Sequence, residues 1–272
     1  MIPAGLFDRV VVISLSTSVD RRQHIRQHFG DIGLADFTFF DALDSRAPEV
    51  ARLFEGGKVA RYPPCFRCGK LECGKPDCNN VLIPAQIAVF ATYLALWQEI
   101  AAMDDRVLVC EDDVLFHPWA ARILDELSRC ISTGDLTFSR SEPTLLRLGW
   151  ALGPDHNAAL PFRFDRSLRM SNPCHAITGA YARALLEEFE CVNHTADVYQ
   201  HKLASASKTH AVTIFPPIAS ELSWSVGSLE SLIHPKELYA RHLELEGHYA
   251  KARLYRERIA SHFTDVAHRK PE

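Results

Sequence analysis

The chain has 272 residues, 47% of them hydrophobic and 24% charged, with a formal net charge of -4 at pH 7. Such a composition excludes the disordered, fibrous and membrane-spanning classes, and the length suffices for one large α/β domain with a substantial core. The slight negative balance gives no global electrostatic reason to expect nucleic acid or an anionic membrane as partner.

The first strand is expected at Val10, Val11, Val12, Ile13 and Leu15, a near-continuous β-branched run suited to burial on both faces of a parallel sheet. That run is too short for the core of a signal peptide or for a membrane span, which points to the cytoplasm. Ser16 to Asp20 offers capping side chains before a helix that continues to Phe29, where Gly30 and Gly33 can end it. Strand, turn and helix in this order open a nucleotide-binding α/β unit. Phe37, Phe39 and Phe40 predict a second strand leading to Asp41-Ala42-Leu43-Asp44.

From Ser45 to Leu82 the hydrophobic periodicity fades, and residues 62–82 read as an insertion. Cys65, Cys68, Cys73 and Cys78 stand there in a C-x2-C-x4-C-x4-C arrangement, with Gly69 and Gly74 placed for tight turns. Four thiolates on so short a segment suit a closed tetrahedral Zn2+ site, and a reducing compartment disfavours disulfides between them. The spacing resembles a retroviral zinc knuckle with cysteine in place of its histidine. That likeness implies single-stranded nucleic acid as ligand, with Arg67, Lys70 and Lys75 as phosphate contacts. Phe66 is the one aromatic residue in the loop, however, and makes a poor stacking surface. A structural loop staple is the favoured reading, and nucleic acid the disfavoured partner.

Pro84 can open the next helix, in which Ile87, Phe90, Ala91, Leu94 and Trp97 recur at three- and four-residue spacing. Arg106 to Cys110 reads as a buried strand that delivers Glu111-Asp112-Asp113 at its carboxyl end, where open α/β sheets receive ligands. Val114, Leu115 and Phe116 follow before Pro118 begins another helix. Strands are expected at Leu145 to Leu148 and Thr213 to Phe215, with a helix at Ala180 to Glu190. Leu238, Leu245, Tyr249, Ala252 and Ile259 describe a long amphipathic helix from Pro235 to about Phe263, packed on the domain or on a second subunit. The domain thus runs over 1–234 and a helical extension over 235–272. Cys110, Cys130, Cys174 and Cys191 read as buried apolar residues.

Several of these segments together resemble glycosyltransferase family 25. Val11-Val12-Ile13-Ser14-Leu15 followed by Asp20-Arg21-Arg22 is similar to the family's opening, an Ile-Asn-Leu strand end before an Asp-Arg pair. Phe40-Asp41-Ala42-Leu43-Asp44 is similar to its next signature. The run from Gln86 to Trp97 resembles its Glu-Ile-Gly-Cys-x-x-Ser-His-x-x-x-Trp helix, and Val107 to Val114 its Val-Leu-Glu-Asp-Asp-Val element. Ala182 to Leu186 and Ala196-Asp197 resemble its late Ala-x-x-Leu-Leu and Val-Asp segments. Serial order from residue 10 to about 222 carries the likeness, interrupted by the cysteine insertion. Ser14 stands for Asn, Gln86 for Glu, and Thr92-Tyr93 for Ser-His.

The resemblance implies a Rossmann-like GT-A fold with a mostly parallel central sheet, and a hexosyltransferase. The donor would be a nucleotide sugar such as a UDP-hexose, with Mn2+ or Mg2+ and inversion at the anomeric carbon. Acceptors would be a saccharide, glycolipid or protein, the family including lipooligosaccharide and collagen galactosyltransferases. Asp113 is then the leading metal ligand, with Glu111 and Asp112 contacting metal or ribose. Ser14, Ser16, Arg21 and Gln86 line the nucleotide's place. Arg21 and Arg22 read equally as a solvated helix start. An inverting displacement needs a base for the acceptor hydroxyl, with Asp197 the first candidate and Glu221 the second. His175 and His234 are further candidates for metal or phosphate contact. The rival readings are a degenerate binding protein, suggested by Gln86 and Tyr93, a nucleic-acid-binding knuckle module, and a nucleotidyltransferase. Peripheral membrane association and the oligomeric state stay open.

Overall fold

A computed structural model describes residues 2–60, 69–70, 82, 84–151, 153–169, 171–205 and 209–223, together with 244, 247, 249–250 and 253. Alternation along the strands sets the layering. In β1 (Arg9–Ser14) Val12 faces one core while Val11 and Ile13 face another, and in β3 (Arg106–Glu111) Leu108 and Cys110 separate from Val107 and Val109 in the same way. Period-two alternation with apolar residues at both phases requires cover on both faces, and helices supply it.

On the first face lie α1 (Val19–Asp31), through Ile25 and Phe29, and α4 (Ala120–Thr133), through Ile123, Leu124 and Leu127. On the second lie α2 (Pro48–Glu55), α3 (Pro84–Met103), α5 (Gly179–Glu187) and α6 (Ala196–Ser205). α3 sits deepest, with Phe90, Leu96, Trp97 and Ile100 fully buried. Glu99 near its end pairs with Arg9 at the foot of β1 at 2.7 Å, while Tyr93 reaches Glu111 at the head of β3. α3 therefore runs antiparallel to both strands, and its first turns project towards the sheet's carboxyl edge.

The other strands are β2 (Thr38–Asp41), β4 (Val114–Phe116), β5 (Thr144–Gly149), β6 (Arg163–Asp165), β7 (Cys174–Thr178), β8 (His210–Phe215) and β9 (Ala219–Glu221). The sheet order is β2-β1-β3-β7-β5-β8-β6. β1, β2, β3, β5 and β8 share one direction, and β7 and β6 run against them. This is the mostly parallel α/β sheet expected from the sequence. β4 and β9 form a small antiparallel ladder above it, tied to β5 where Gly149 meets Ala219. Glycine is required at that junction: a Cβ on Gly149 would come within 2.9 Å of the Ala219 carbonyl and 3.0 Å of Cys174 Cβ.

Strands β4, β6, β7 and β9 and helices α2 and α6 add to the elements expected from the sequence. Cys110, Cys130 and Cys174 are buried and free, and Cys191 is half-buried and free. The knuckle cysteines Cys65, Cys68, Cys73 and Cys78 lie outside the described residues, as does nearly all of the segment expected as a terminal helix. Glu244, Tyr249, Ala250 and Arg253 are helical, and Gly247 takes the left-handed turn conformation at φ 81°. Among the described residues no helix is long and apolar enough to cross a membrane.

Candidate active site

β1 and β3 end side by side in parallel register, with Ile13 opposite Glu111, so the β1–α1 turn faces the Glu111-Asp112-Asp113 segment. Asp112 is 8% exposed and both of its oxygens are engaged. Ser14 Oγ donates to Oδ2 at 2.8 Å, and Arg21, in the first turn of α1, donates to Oδ1 at 2.6 Å. Arg22 is also tied down: its guanidinium donates to the carbonyls of Leu15 and Ser14 at 3.1 and 2.8 Å, and to Asp41. The arginine pair is thus a clasp on the end of β1, with the side chains 16% and 15% exposed. Ser16 is exposed on the turn between β1 and α1.

Asp113 is held differently. Its carbonyl accepts from Leu222 N–H at 2.8 Å and its Oδ2 accepts from the Ser223 hydroxyl, but Oδ1 meets no partner although the residue is 5% exposed. Burial raises this carboxyl above its ordinary range, opposed by the Ser223 hydrogen bond and by the charge of Arg21. An unpartnered buried carboxylate oxygen is costly unless something else completes it.

Glu111 is the carboxyl on which the charges of the other site carboxylates converge. Burial, then the neighbouring carboxylates of Asp113 and Glu221, push its carboxyl well up; the Tyr93 hydroxyl, donating to Oε1 at 3.1 Å, acts the other way, and Asp197 adds to the rise. Glu221, on β9, is 8% exposed and accepts from the Ser171 hydroxyl at 2.9 Å. Ser171 holds φ 72°, the left-handed region seldom used by residues with a side chain. Asp197 lies in the first turn of α6, and its charge acts on Tyr93, Glu111 and His201. Asp113, Glu221 and Asp197, from the β3–β4 turn, β9 and α6, thus lie within electrostatic reach of Glu111.

Gln86 is 3% exposed on α3, two turns before Tyr93 on the same helix face and further along the carboxyl edge. His175 is fully buried in β7 and lies against Tyr93, at 6.0 Å between ring centroids, behind the carboxylates. His234 lies outside the described residues. Among the described residues no group of three or more His, Cys, Asp and Glu gathers closely enough to hold a metal ion by itself. Sequence reasoning missed Ser171 and Ser223, which follow no spacing that marks them. The hydroxyl of Tyr93 had a trace in the sequence, since Tyr93 stands four residues before Trp97 on the buried stripe of α3.

The sequence pattern of the family described as Glycosyltransferase family 25 (LPS biosynthesis protein) matches residues 7–148, which covers β1 to β4, β5 up to its last residue, and all of Glu111-Asp112-Asp113. A curated relative from Aedes aegypti, described as Glycosyltransferase 25 family member, is 27% identical over 125 residues, covering 44% of this chain and 19% of the relative. One of the same description from Drosophila melanogaster is 25% identical over 138 residues, covering 49% and 21%. The chain spans about a fifth of the length of these curated relatives.

Proposed function

We propose, from the premise that this chain belongs to glycosyltransferase family 25, that it transfers a sugar from a nucleoside diphosphate donor to an acceptor hydroxyl. In this reading the donor is a UDP-hexose, the reaction inverts the anomeric carbon, and a divalent cation, Mn2+ or Mg2+, is required. The observation that carries the reading is the buried, unpartnered Oδ1 of Asp113 at the carboxyl end of β3.

The residues fit such an ion. Mg2+ and ions like it take oxygen ligands, use one or two carboxylates and draw the rest from substrate phosphates and water. A single open carboxylate oxygen therefore suffices, and a cluster of three protein ligands is not needed. When bound, the ion supplies charge neutralisation for the leaving diphosphate.

The chain's own residues account for the rest. Ser223 fixes the rotamer of Asp113. Asp112 spends both oxygens on Ser14 and Arg21, and so sets the β1–α1 turn and the Arg21 guanidinium beside the place where phosphates would enter. Asp197, with Glu221 as the second candidate, takes the acceptor proton as that oxygen attacks the anomeric carbon and the nucleoside diphosphate departs from the opposite face. Tyr93 holds Glu111 from below, so the replacement of the family's Ser-His pair by Thr92-Tyr93 leaves a polar contact in the site.

The family's description as an LPS biosynthesis protein supports a saccharide or glycolipid acceptor. A cytoplasmic location and a structural Zn2+ at Cys65, Cys68, Cys73 and Cys78 belong to the same proposal. The test is a screen of nucleotide sugars for Mn2+-dependent thermal stabilisation, followed by product analysis with candidate acceptors. Sugar transfer supports the reading, nucleotidyl transfer replaces it, and donor binding without turnover across broad acceptors favours a degenerate binding protein.

A further inference from the structure

Behind the carboxylates, between β5, β7 and α6, lies a second polar group that the proposed reaction does not use. Arg147 is 1% exposed, and among the described residues it pairs with no carboxylate. Its Nε donates to His201 Nδ1 at 2.9 Å and Nη1 reaches Thr213 Oγ1 at 3.5 Å, while Nη2 finds no partner. His175 is its cross-strand neighbour on the same sheet face and is fully buried; its ring is turned to the Asn172 backbone, which leaves its other nitrogen without a partner. Asn172 donates through Nδ2 to Gln200 Oε1 at 3.3 Å, which leaves Asn172 Oδ1 and Gln200 Nε2 unpartnered. Both carboxamides are buried, at 4% and 0% exposure, and the Asn172 backbone lies against His175.

The charge balance of this group is one-sided. Buried polar atoms without partners are rare, and several in one place mark a water or ion that they share. A buried guanidinium without an anion is the costliest member. Burial holds His175 neutral, with its ring pushed down to about 3, and His201 neutral, at about 4, where the Arg147 charge adds to the burial. Neither histidine thus adds a positive charge at neutral pH, and neither supplies the missing negative one. His201 Nδ1 accepts from Arg147, so His201 is not the counterion either.

We infer that Arg147 and Gln200, beside His175, bind a small inorganic anion of the halide class, chloride under ordinary conditions, between β5, β7 and α6. The second terminal nitrogen (Nη2) of Arg147 and the Gln200 amide are its donors. Arg147 is 1% exposed and His175 and Gln200 0%, which suits a monatomic ion and disfavours phosphate or a carboxylate ligand. The site is separate from the metal and donor site proposed above and stands whether or not that proposal holds.

The test uses the whole 272-residue chain, equilibrated in sodium chloride or sodium gluconate at equal ionic strength. Above the dissociation constant, each tenfold rise in chloride should raise Tm by about 2–4 °C, and gluconate should not. Arg147→Met fills the same volume without the charge and should lose the chloride dependence. Since that variant can fail to fold, crystals of the unaltered protein grown in bromide provide a second reading. An anomalous peak within hydrogen-bonding distance of the Arg147 guanidinium and the Gln200 amide is the expected result. A bromide structure with no peak there, or a Tm that is the same in chloride and gluconate, overturns the proposal and leaves water as the shared partner.

Discussion

The hydroxyl of Ser223 donates to Oδ2 of Asp113 and leaves Oδ1 as the open face of that carboxylate. The two residues are far apart in sequence and meet because the β4–β9 ladder folds back over the end of β3, where Leu222 N–H also binds the Asp113 carbonyl. Partners that orient a ligating carboxylate govern its affinity for metal. Ser223→Ala should therefore weaken Mn2+ binding in the presence of UDP by about 10–100-fold while the fold persists. Calorimetry with the folded variant checks this, and an unchanged affinity would remove Ser223 from any orienting role.

Arg21 and Asp112 form an ion pair at 2.6 Å whose side chains are 16% and 11% exposed. Shielded from solvent, the pair is worth more than a surface bridge, and its loss leaves Asp112 with one oxygen uncompensated. Arg21→Gln should cost about 1–3 kcal/mol in urea denaturation and should also weaken nucleotide binding. Arg22→Gln would instead loosen the β1 end at the Ser14 and Leu15 carbonyls, again visible in denaturation.

A pH dependence follows from Asp8 at the opposite end of the sheet. Burial would raise its carboxyl, but hydrogen bonds from Arg140 and Arg106 outweigh that and hold it well below its ordinary value of 3.8. A folded pKa below the unfolded one means that the unfolded chain binds the extra proton, so stability rises with pH across that window. The Asp8 contribution is complete above about pH 4 and is lost as pH falls further. Asp8→Asn should accordingly cost about 2–3 kcal/mol at pH 7 and progressively less below pH 4, as read by denaturation of both proteins across pH.

The choice of base can be decided by kinetics. If Asp197 takes the acceptor proton, Asp197→Asn keeps donor affinity and lowers turnover by about 10²–10⁴-fold. Glu221→Gln should then change turnover far less. The reverse pattern, measured as UDP release and glycosylated product, would assign the base to Glu221.

The cysteine segment gives an independent prediction: the purified chain carries one Zn2+, detected by elemental analysis, with four sulfur ligands by X-ray absorption. Zinc-free protein after metal-replete expression, or two disulfides at Cys65, Cys68, Cys73 and Cys78, would defeat it.

Much of this arrangement is legible in the sequence where local pattern and burial agree. β1, β3 and α3 announce themselves through long apolar runs, and the carboxylates at the end of β3 follow from them. β7 does not, because Cys174-His175-Ala176-Ile177-Thr178 is short and carries a histidine; its strand character comes from lying between β3 and β5. The same holds for Ser171, Asn172 and Ser223, whose roles arise from contacts across 28 to 110 residues, or from a turn held at positive φ. Arg147 sits in the apolar run of β5, and its partners are set by register with β7 and by the docking of α6, which no local periodicity encodes.

The most direct measurement is calorimetric titration of UDP into the unaltered protein and into Asp113→Ala, each with and without Mn2+. Unaltered protein should bind UDP at least about tenfold more tightly with Mn2+, since the ion joins the open Asp113 oxygen to the diphosphate. Asp113→Ala should keep its Tm within a few degrees and lose that dependence. A folded Asp113→Ala that binds UDP with undiminished Mn2+ dependence would contradict the account, as would an unaltered protein whose UDP affinity ignores the metal.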